Sequence, residues 1–486
     1  MKTINETVKT KPSLPIKVLQ FGEGNFLRAF ADYMIDVANE KGVFNGSVAI
    51  VKAIEYGSLD RFEKQNCLYT VVLRGKADGE TVNKNRVITS VDRAIGCYEN
   101  YSEYISLAKL DTLEIIISNT TEAGIVLDTS DTFTGIPKTY PGKLTQFLFK
   151  RFEAFNGDSS KGVVILPVEL IEDNGKKLKA CVLELAKIWN LPESFTDWLN
   201  TACTFCSTLV DRIVTGYPKD EAEAICQSLG YTDELLDVAE PFGLWVIESE
   251  RDISDVFPLD RAGCPVLFTN DQRPYRERKV RILNGAHTST VLLGWLSGLS
   301  TVGECMNDKT VRAFMEKAVK TEIMPYVKLP KADVEAFANS VFERFENPFI
   351  RHSVLDISLN SVSKWKARVL GSFKDYYADK KALPEALSFS FAALAAFYRS
   401  SKLENGVINA ARPDGTPYTV RDNAEVLEFV AGIADKSNFD YLKAFMQNVN
   451  FWGEDLTAFD GFLELAVKYL DDITTNGARA AVERLV

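Results

Sequence analysis

Lys279, Asn284 and His287 lie in the stretch RPYRERKVRILNGAHTS (residues 273–289) with the spacing Lys-x-x-x-x-Asn-x-x-His. An amine such as that of Lys279 can work as general acid or base, and it is the conjunction of the three that sets this segment apart from a solvated surface helix. If the segment is helical, at about 100° per residue Asn284 lies roughly 140° and His287 roughly 80° from Lys279, so all three can face one side. Gly285 costs a helix interior about 1 kcal/mol relative to Ala, which suits a position that something must approach closely. Arg273, Arg276, Arg278, Lys279 and Arg281 against Glu277 give a local charge of +4. Such a run is either a solvated face or a site that attracts a carboxylate. The other histidine, His352, lies in a second basic stretch (residues 344–370) with Arg351, Lys364 and Arg368.

A second constellation stands near the start of the chain. VLQFGEGNFLRAF places Gly22-x-Gly24 directly after a strand signal and before a helical pattern. The first Gly permits a tight turn, the second lets backbone approach a pyrophosphate, and the helix N-terminus offers aligned N–H donors. Asn25 and Phe26 open that helix and complete the cofactor-facing candidates. Leu27 stands where the dinucleotide fingerprint has its third Gly, which implies looser packing or a modified loop. The ribose contact expected at the end of the second strand falls to Glu55, with Lys52 nearby as a possible partner for a 2′-phosphate. NAD is favoured over NADP. The polar loop 118–124 follows another strand, and its Asn119 and Thr120 are candidate cofactor neighbours or helix caps.

These residues need a scaffold, and the first half supplies strand–helix alternation. Strand signals at 16–21, 48–54, 113–118 and 162–171 alternate with helical patterns, and 68–91 reads as an inserted hairpin around Asp78-Gly79. That is the pattern of an α/β fold: a doubly wound, mostly parallel sheet covered by helices on both faces. Beyond about residue 280 strand signals become rare, and amphipathic segments at 311–322, 331–344, 384–399, 424–434, 441–447 and 459–471 follow one another. The reading is a nucleotide-binding domain over 1–272 and an all-helical substrate domain over 273–486.

The 486 residues carry 56 basic and 67 acidic side chains, a net charge of −11 that disfavours nucleic acid and anionic membranes as partners. Eight cysteines without a repeating interval make no disulfide scaffold, and the lone Cys203-x-x-Cys206 lacks two further ligands for zinc. No metal is expected. The polar N-terminus has no secretory pattern, and the longest uncharged run (282–303) contains Asn284, His287 and several Thr, Ser and Gly, so it reads as a buried helix and loop. A cytoplasmic location, with no obligatory protein partner, is the expectation.

With these motifs in view, the sequence resembles the mannitol dehydrogenase family of polyol-specific long-chain dehydrogenases/reductases. Lys279, Asn284 and His287 match its Lys-x-x-x-x-Asn-x-x-His signature, and VDRI (210–213) and RFENP (344–348) match other family blocks. FGEGNFLRAF, SNTTEAGI, FCSTLVDRIVTGYP, ERKVRILNGAHT and VGECMND are similar to a uronate-specific branch of it. The resemblance implies a Rossmann-like N-terminal domain and metal-independent hydride transfer between NAD(H) and the C–OH/C=O group of an open-chain sugar derivative, here a small anionic sugar acid. It makes Lys279 the general acid/base, Asn284 an oxyanion donor, His287 an orienting or assisting group and Asp211 a proton relay. It places Arg212, Lys364 and His352 among substrate contacts. One family block departs: where mannitol dehydrogenases have Cys-Asp-Asn, this chain has Val168-Glu169-Leu170, so the second oxyanion hydrogen bond is lost or supplied differently and Glu169 becomes a candidate for positioning substrate. A reductase of another sugar acid or a polyol, an epimerase using bound NAD, and a non-catalytic NAD(H) sensor are the alternatives.

Overall fold

A computed structural model describes residues 1–8, 10–120, 124–412 and 414–486. The chain divides into two compact units, one of Met1–Arg74 with Thr81–Gln272, the other of Gly75–Glu80 with Arg273–Val486.

The first unit is built on a six-stranded parallel sheet: β1 (Ile16–Phe21), β2 (Ser47–Lys52), β3 (Val91–Gly96), β4 (Ile115–Ser118), β5 (Val164–Pro167) and β6 (Thr204–Phe205). Their order across the sheet is 3-2-1-4-5-6, the doubly wound arrangement of dinucleotide-binding domains. Continuous apolar runs allow burial on both faces. Val18, Ile50, Ile115 and Ile117 pack into one core, while Leu19, Val51, Ile116 and Ile165 pack into the other. Helices α1 (Tyr140–Ala154) and α2 (Asn174–Ile188) belong to this unit. Strands Tyr69–Ala77 and Glu80–Ile88 stand between β2 and β3 in sequence, joined at Asp78 and Gly79, whose φ values of 54° and 78° suit the Asp-Gly hairpin turn.

The second unit centres on α3 (Gly285–Leu296), buried along nearly its whole length. Around it stand α4 (Lys331–Phe345), α5 (Ser361–Arg368) and α6 (Glu385–Tyr398). Helix α6, with the sequence EALSFSFAALAAFY, is apolar on all sides and accordingly buried on all sides. The turn at 75–80 joins this unit: the amides of Asp78 and Gly79 donate to Glu343 (3.2 and 2.7 Å), and Lys76 pairs with Glu346 (2.5 Å).

The second unit is not wholly helical. Leu403–Glu404, Val407–Ala411 and Pro417–Val420 form a small antiparallel sheet. Its first turn is Asn405-Gly406, both at positive φ (52° and 76°), a strong short-range hairpin signal. Among the described residues no helix is long and apolar enough to cross a membrane.

Candidate active site

The glycine loop leaves the carboxyl end of β1. Gly22 has φ 120°, and a Cβ there would meet the Asn119 carbonyl at 3.0 Å, so only glycine fits. Around Gly24 the space for a Cβ is open, which leaves its backbone approachable. Gly24 caps a short helix (Asn25–Leu27) that widens at once into a π-turn over Arg28–Asp32. This is the modification that accompanies Leu27, which is buried in the core. Asn25 is exposed and its side-chain oxygen accepts from Arg28; Phe26 stacks on Phe30 at 4.9 Å.

Beneath the loop lies a buried polar cluster. Asp32 accepts from the Tyr69 hydroxyl (2.8 Å) and Gln20 (3.4 Å), and Arg28 stands 3.8 Å from Asp237. Burial pushes the Asp32 and Asp237 carboxyls up to about 7.

Two other loops reach the same sheet edge. Glu55 is exposed just past β2. Lys52 is not available to a phosphate: its buried amine donates to the carbonyls of Ile54 (3.0 Å) and Tyr56 (3.3 Å) and pairs with Glu99 (2.6 Å). Asn119 and Thr120 follow β4, and the Asn119 amide bonds the Phe21 carbonyl (3.0 Å), tying this loop to the glycine loop. Residues 121–123 of the polar loop lie outside the described residues.

Three expected contacts of the first unit are reassigned or located by the structure. Glu169 is buried, and its carboxylate accepts from Ser118 Oγ (3.1 Å), Thr120 N (3.1 Å) and Thr120 Oγ1 (2.9 Å), so it braces the loop after β4 instead of facing substrate. Burial raises its carboxyl from the ordinary range. Arg212 is also buried, and its guanidinium donates to the carbonyls of Phe242 (2.8 Å), Ala29 (2.7 Å) and Pro241 (3.3 Å). It is a structural clamp, not a substrate contact. Asp211, buried beside it, ends the strand Ser207–Asp211 opposite Leu244.

In the second unit the signature helix is irregular in a useful way. Arg273–Arg278 is α-helical, Lys279–Asn284 is a π-turn, and α3 follows. The Gly285 amide reaches back five residues to the Val280 carbonyl. A π-turn takes about five residues per hydrogen-bonded step, so Lys279 and Asn284, five apart, come onto one face more closely than α geometry allows. Both are half-buried, whereas His287, one α-turn on, is buried. Gly285 is needed for helix packing and not for a ligand: a Cβ would meet the Arg368 carbonyl at 3.2 Å.

The His287 ring stacks on Phe345 (4.1 Å between centroids) and meets His352 edge-on (5.0 Å). Its buried Nε2 has no hydrogen-bond partner among the described residues. Burial first, then the charges of His352, Arg344, Arg368 and Lys364, push the imidazole well below its ordinary range. His352 is lowered as well, mainly by burial. Lys364 donates to the Ile357 carbonyl (2.8 Å), and burial with the neighbouring Arg368 lowers its amine. Helix α5 therefore brings cations toward His287, and Arg344 of α4 adds another.

The +4 run is dispersed. Arg281 is paired with Glu277 (2.7 Å) and Asp375 (2.5 Å), and Arg278 lies buried over the Phe337 ring at 4.4 Å. The cations felt by His287 come instead from the second basic stretch, from Arg344, Lys364 and Arg368, and the sequence pattern gives no role to Arg344. Among the described residues no group of three or more His, Cys, Asp or Glu side chains could hold a metal ion.

Comparison with known proteins matches residues 16–256 to the mannitol dehydrogenase Rossmann domain and 271–474 to the mannitol dehydrogenase C-terminal domain. The chain belongs to the mannitol dehydrogenase family. It is 41% identical over 490 residues to the altronate oxidoreductase of Yersinia enterocolitica (serotype O:8 / biotype 1B), covering 99% of each chain. It is 43% identical over 493 residues to that of Enterobacter sp. (strain 638), covering 100% of both. Among solved structures, a D-sorbitol dehydrogenase in substrate-free form superposes with a TM-score of 0.80 at 20% identity, covering 99% of this chain and 100% of that one. The Pseudomonas fluorescens mannitol 2-dehydrogenase, solved with NAD and D-mannitol, gives 0.67 at 21%, covering 98% and 95%. Both share the fold of this member of the family.

Proposed function

We propose that this chain is an NAD-dependent oxidoreductase that interconverts the keto-uronate tagaturonate and altronate. The observation that carries the reading is the joint placement of Lys279 and Asn284 on one π-turn, one helical turn before a buried His287 surrounded by Arg344, Lys364 and Arg368. Proton-transfer groups beside several cations suit a sugar that bears a carboxylate. Full-length relatives named altronate oxidoreductase support that substrate over a neutral polyol.

Gly22, Gly24, Asn119 and Thr120 fit a dinucleotide at the carboxyl edge of the sheet, where an added Cβ on Gly22 would clash and Gly24 is open. Glu55 would take the ribose hydroxyls, and the locked amine of Lys52 favours NAD over its 2′-phosphorylated form. When bound, the dinucleotide supplies the hydride in reduction and accepts it in oxidation. Lys279 gives a proton to the keto oxygen as the carbonyl becomes an alcohol, and Asn284 donates a hydrogen bond to the same oxygen. His287, held uncharged, uses Nε2 to bond a substrate hydroxyl. Lys364 and Arg368 attract the carboxylate, His352 fixes the His287 ring, and Asp211 passes the proton on.

NADH oxidation followed with tagaturonate, fructuronate and fructose tests this directly. The reading expects tagaturonate to give the highest kcat/KM. Equal or greater activity with fructose would replace it with a polyol dehydrogenase, and tight NADH binding without turnover on any of the three would indicate a sensor.

A further inference from the structure

The segment after β2 is shaped by a buried cation in a way that no function assigned above explains. Lys52 is a fully buried lysine, and three of its contacts go to a single purpose: the carbonyls of Ile54 and Tyr56 and the Glu99 carboxylate curl residues 53–57 into a fixed knuckle. Burying an ammonium group is costly unless it is paired and hydrogen-bonded, as here. The knuckle throws its two largest apolar side chains outward: Tyr56 is 76% exposed and Ile54 40%. Tyr56 directly follows Glu55 at the carboxyl end of the strand beside the glycine-loop strand. Tyr98, at the end of β3, lies where the charge of Glu55 is felt, and its hydroxyl accepts from the buried Lys143 (3.2 Å). An exposed aromatic ring on a backbone held by Lys52 thus directly follows the carboxylate that suits a ribose.

We propose that Tyr56, held by the Lys52–Glu99 knuckle, is the platform on which the adenine ring of the coenzyme stacks. The assignment rests on the dinucleotide reading above and adds to it the residue that recognises the base. Stacking needs only the flat π-face, so a phenyl ring serves as well as a phenol.

Calorimetric titration of the full chain with ADP-ribose and with nicotinamide mononucleotide separates the two halves of the coenzyme. Stacking of a base on an aromatic residue predicts that Tyr56→Ala weakens ADP-ribose by roughly 5- to 100-fold. Tyr56→Phe should stay within about twofold of wild type, and nicotinamide mononucleotide, which lacks the base, should shift by less than about twofold in either variant. An ADP-ribose Kd unmoved by Tyr56→Ala overturns the assignment. An equal loss for both ligands overturns it too, because the whole edge would then have been disturbed. Wild-type chain that binds neither ADP-ribose nor NADH overturns the dinucleotide reading itself, and the platform with it.

Discussion

Both units carry a π-turn at or beside candidate site residues, and the two turns differ in what they expose. In the first unit all five residues of Arg28–Asp32 are buried, and the turn sets Arg28 and Asp32 into a polar cluster under the glycine loop. In the second, only Ile282 and Leu283 of Lys279–Asn284 are buried, and the residues at its two ends remain accessible. One π-turn braces the glycine loop from within, while the other leaves Lys279 and Asn284 accessible. The shifted groups beside these two turns also differ in sign. Asp32 and Asp237 are acids whose carboxyls burial raises to about 7, whereas His287 and His352 are bases that burial lowers. Glu322, raised to about 7 while accepting from the amides of Ala386 (2.9 Å) and Leu387 (2.8 Å), is an acid of the second unit.

The contrast breaks first at Arg28. Arg28→Met leaves two buried carboxyls without their cation, and loss of one partner of a buried pair costs about 3–5 kcal/mol. Urea unfolding should show a loss of that order at pH 8 and a smaller one at pH 6, where the carboxyls can hold protons. Asn284→Ala should do the reverse, lowering kcat by roughly 10²- to 10³-fold, the usual effect of removing an oxyanion donor, with little change in thermal midpoint. A large stability loss in Asn284→Ala with kcat retained would erase the distinction between the two turns.

The pH dependence sharpens it further. For a raised acid, stability is fully present below about pH 4 and is lost as pH climbs through about 7, by on the order of a few kcal/mol per group. Asp237→Asn should flatten that loss in thermal midpoints measured between pH 5 and 8.5. For a lowered base the sign reverses: stability is present above the ordinary imidazole range and declines as pH falls below about 6.5. His287→Phe should flatten the acid side of the thermal-midpoint profile, and a profile as steep as that of wild type would contradict the buried, lowered imidazole.

Local pattern made much of this architecture legible. Apolar runs fully buried on both faces announced the parallel sheet, the Gly22-x-Gly24 turn announced the end of its first strand, and Asp78-Gly79 announced a hairpin. The hairpin at 403–411 is masked by the helical periodicity on either side of it, although Asn405-Gly406 carries a strong hairpin signal. The site was less legible wherever long-range contacts decide what a polar side chain does. Arg212 and Glu169 sit at suggestive positions, yet backbone carbonyls and the Ser118–Thr120 loop engage them. Arg344 and Arg368 reach His287 only through the packing of α4 and α5 near α3, which no spacing within either segment reveals. A period of 3.6 residues also misplaces Asn284 relative to Lys279, since the π-turn appears only in the backbone.

The central claim is that the amine of Lys279 delivers the proton to the substrate oxygen. Its most direct test is turnover of tagaturonate by Lys279→Ala at saturating NADH, with the NADH Kd measured on the same sample. General acid–base catalysis predicts a kcat lower by about 10²- to 10⁴-fold with an almost unchanged Kd. Turnover close to wild type would contradict the account.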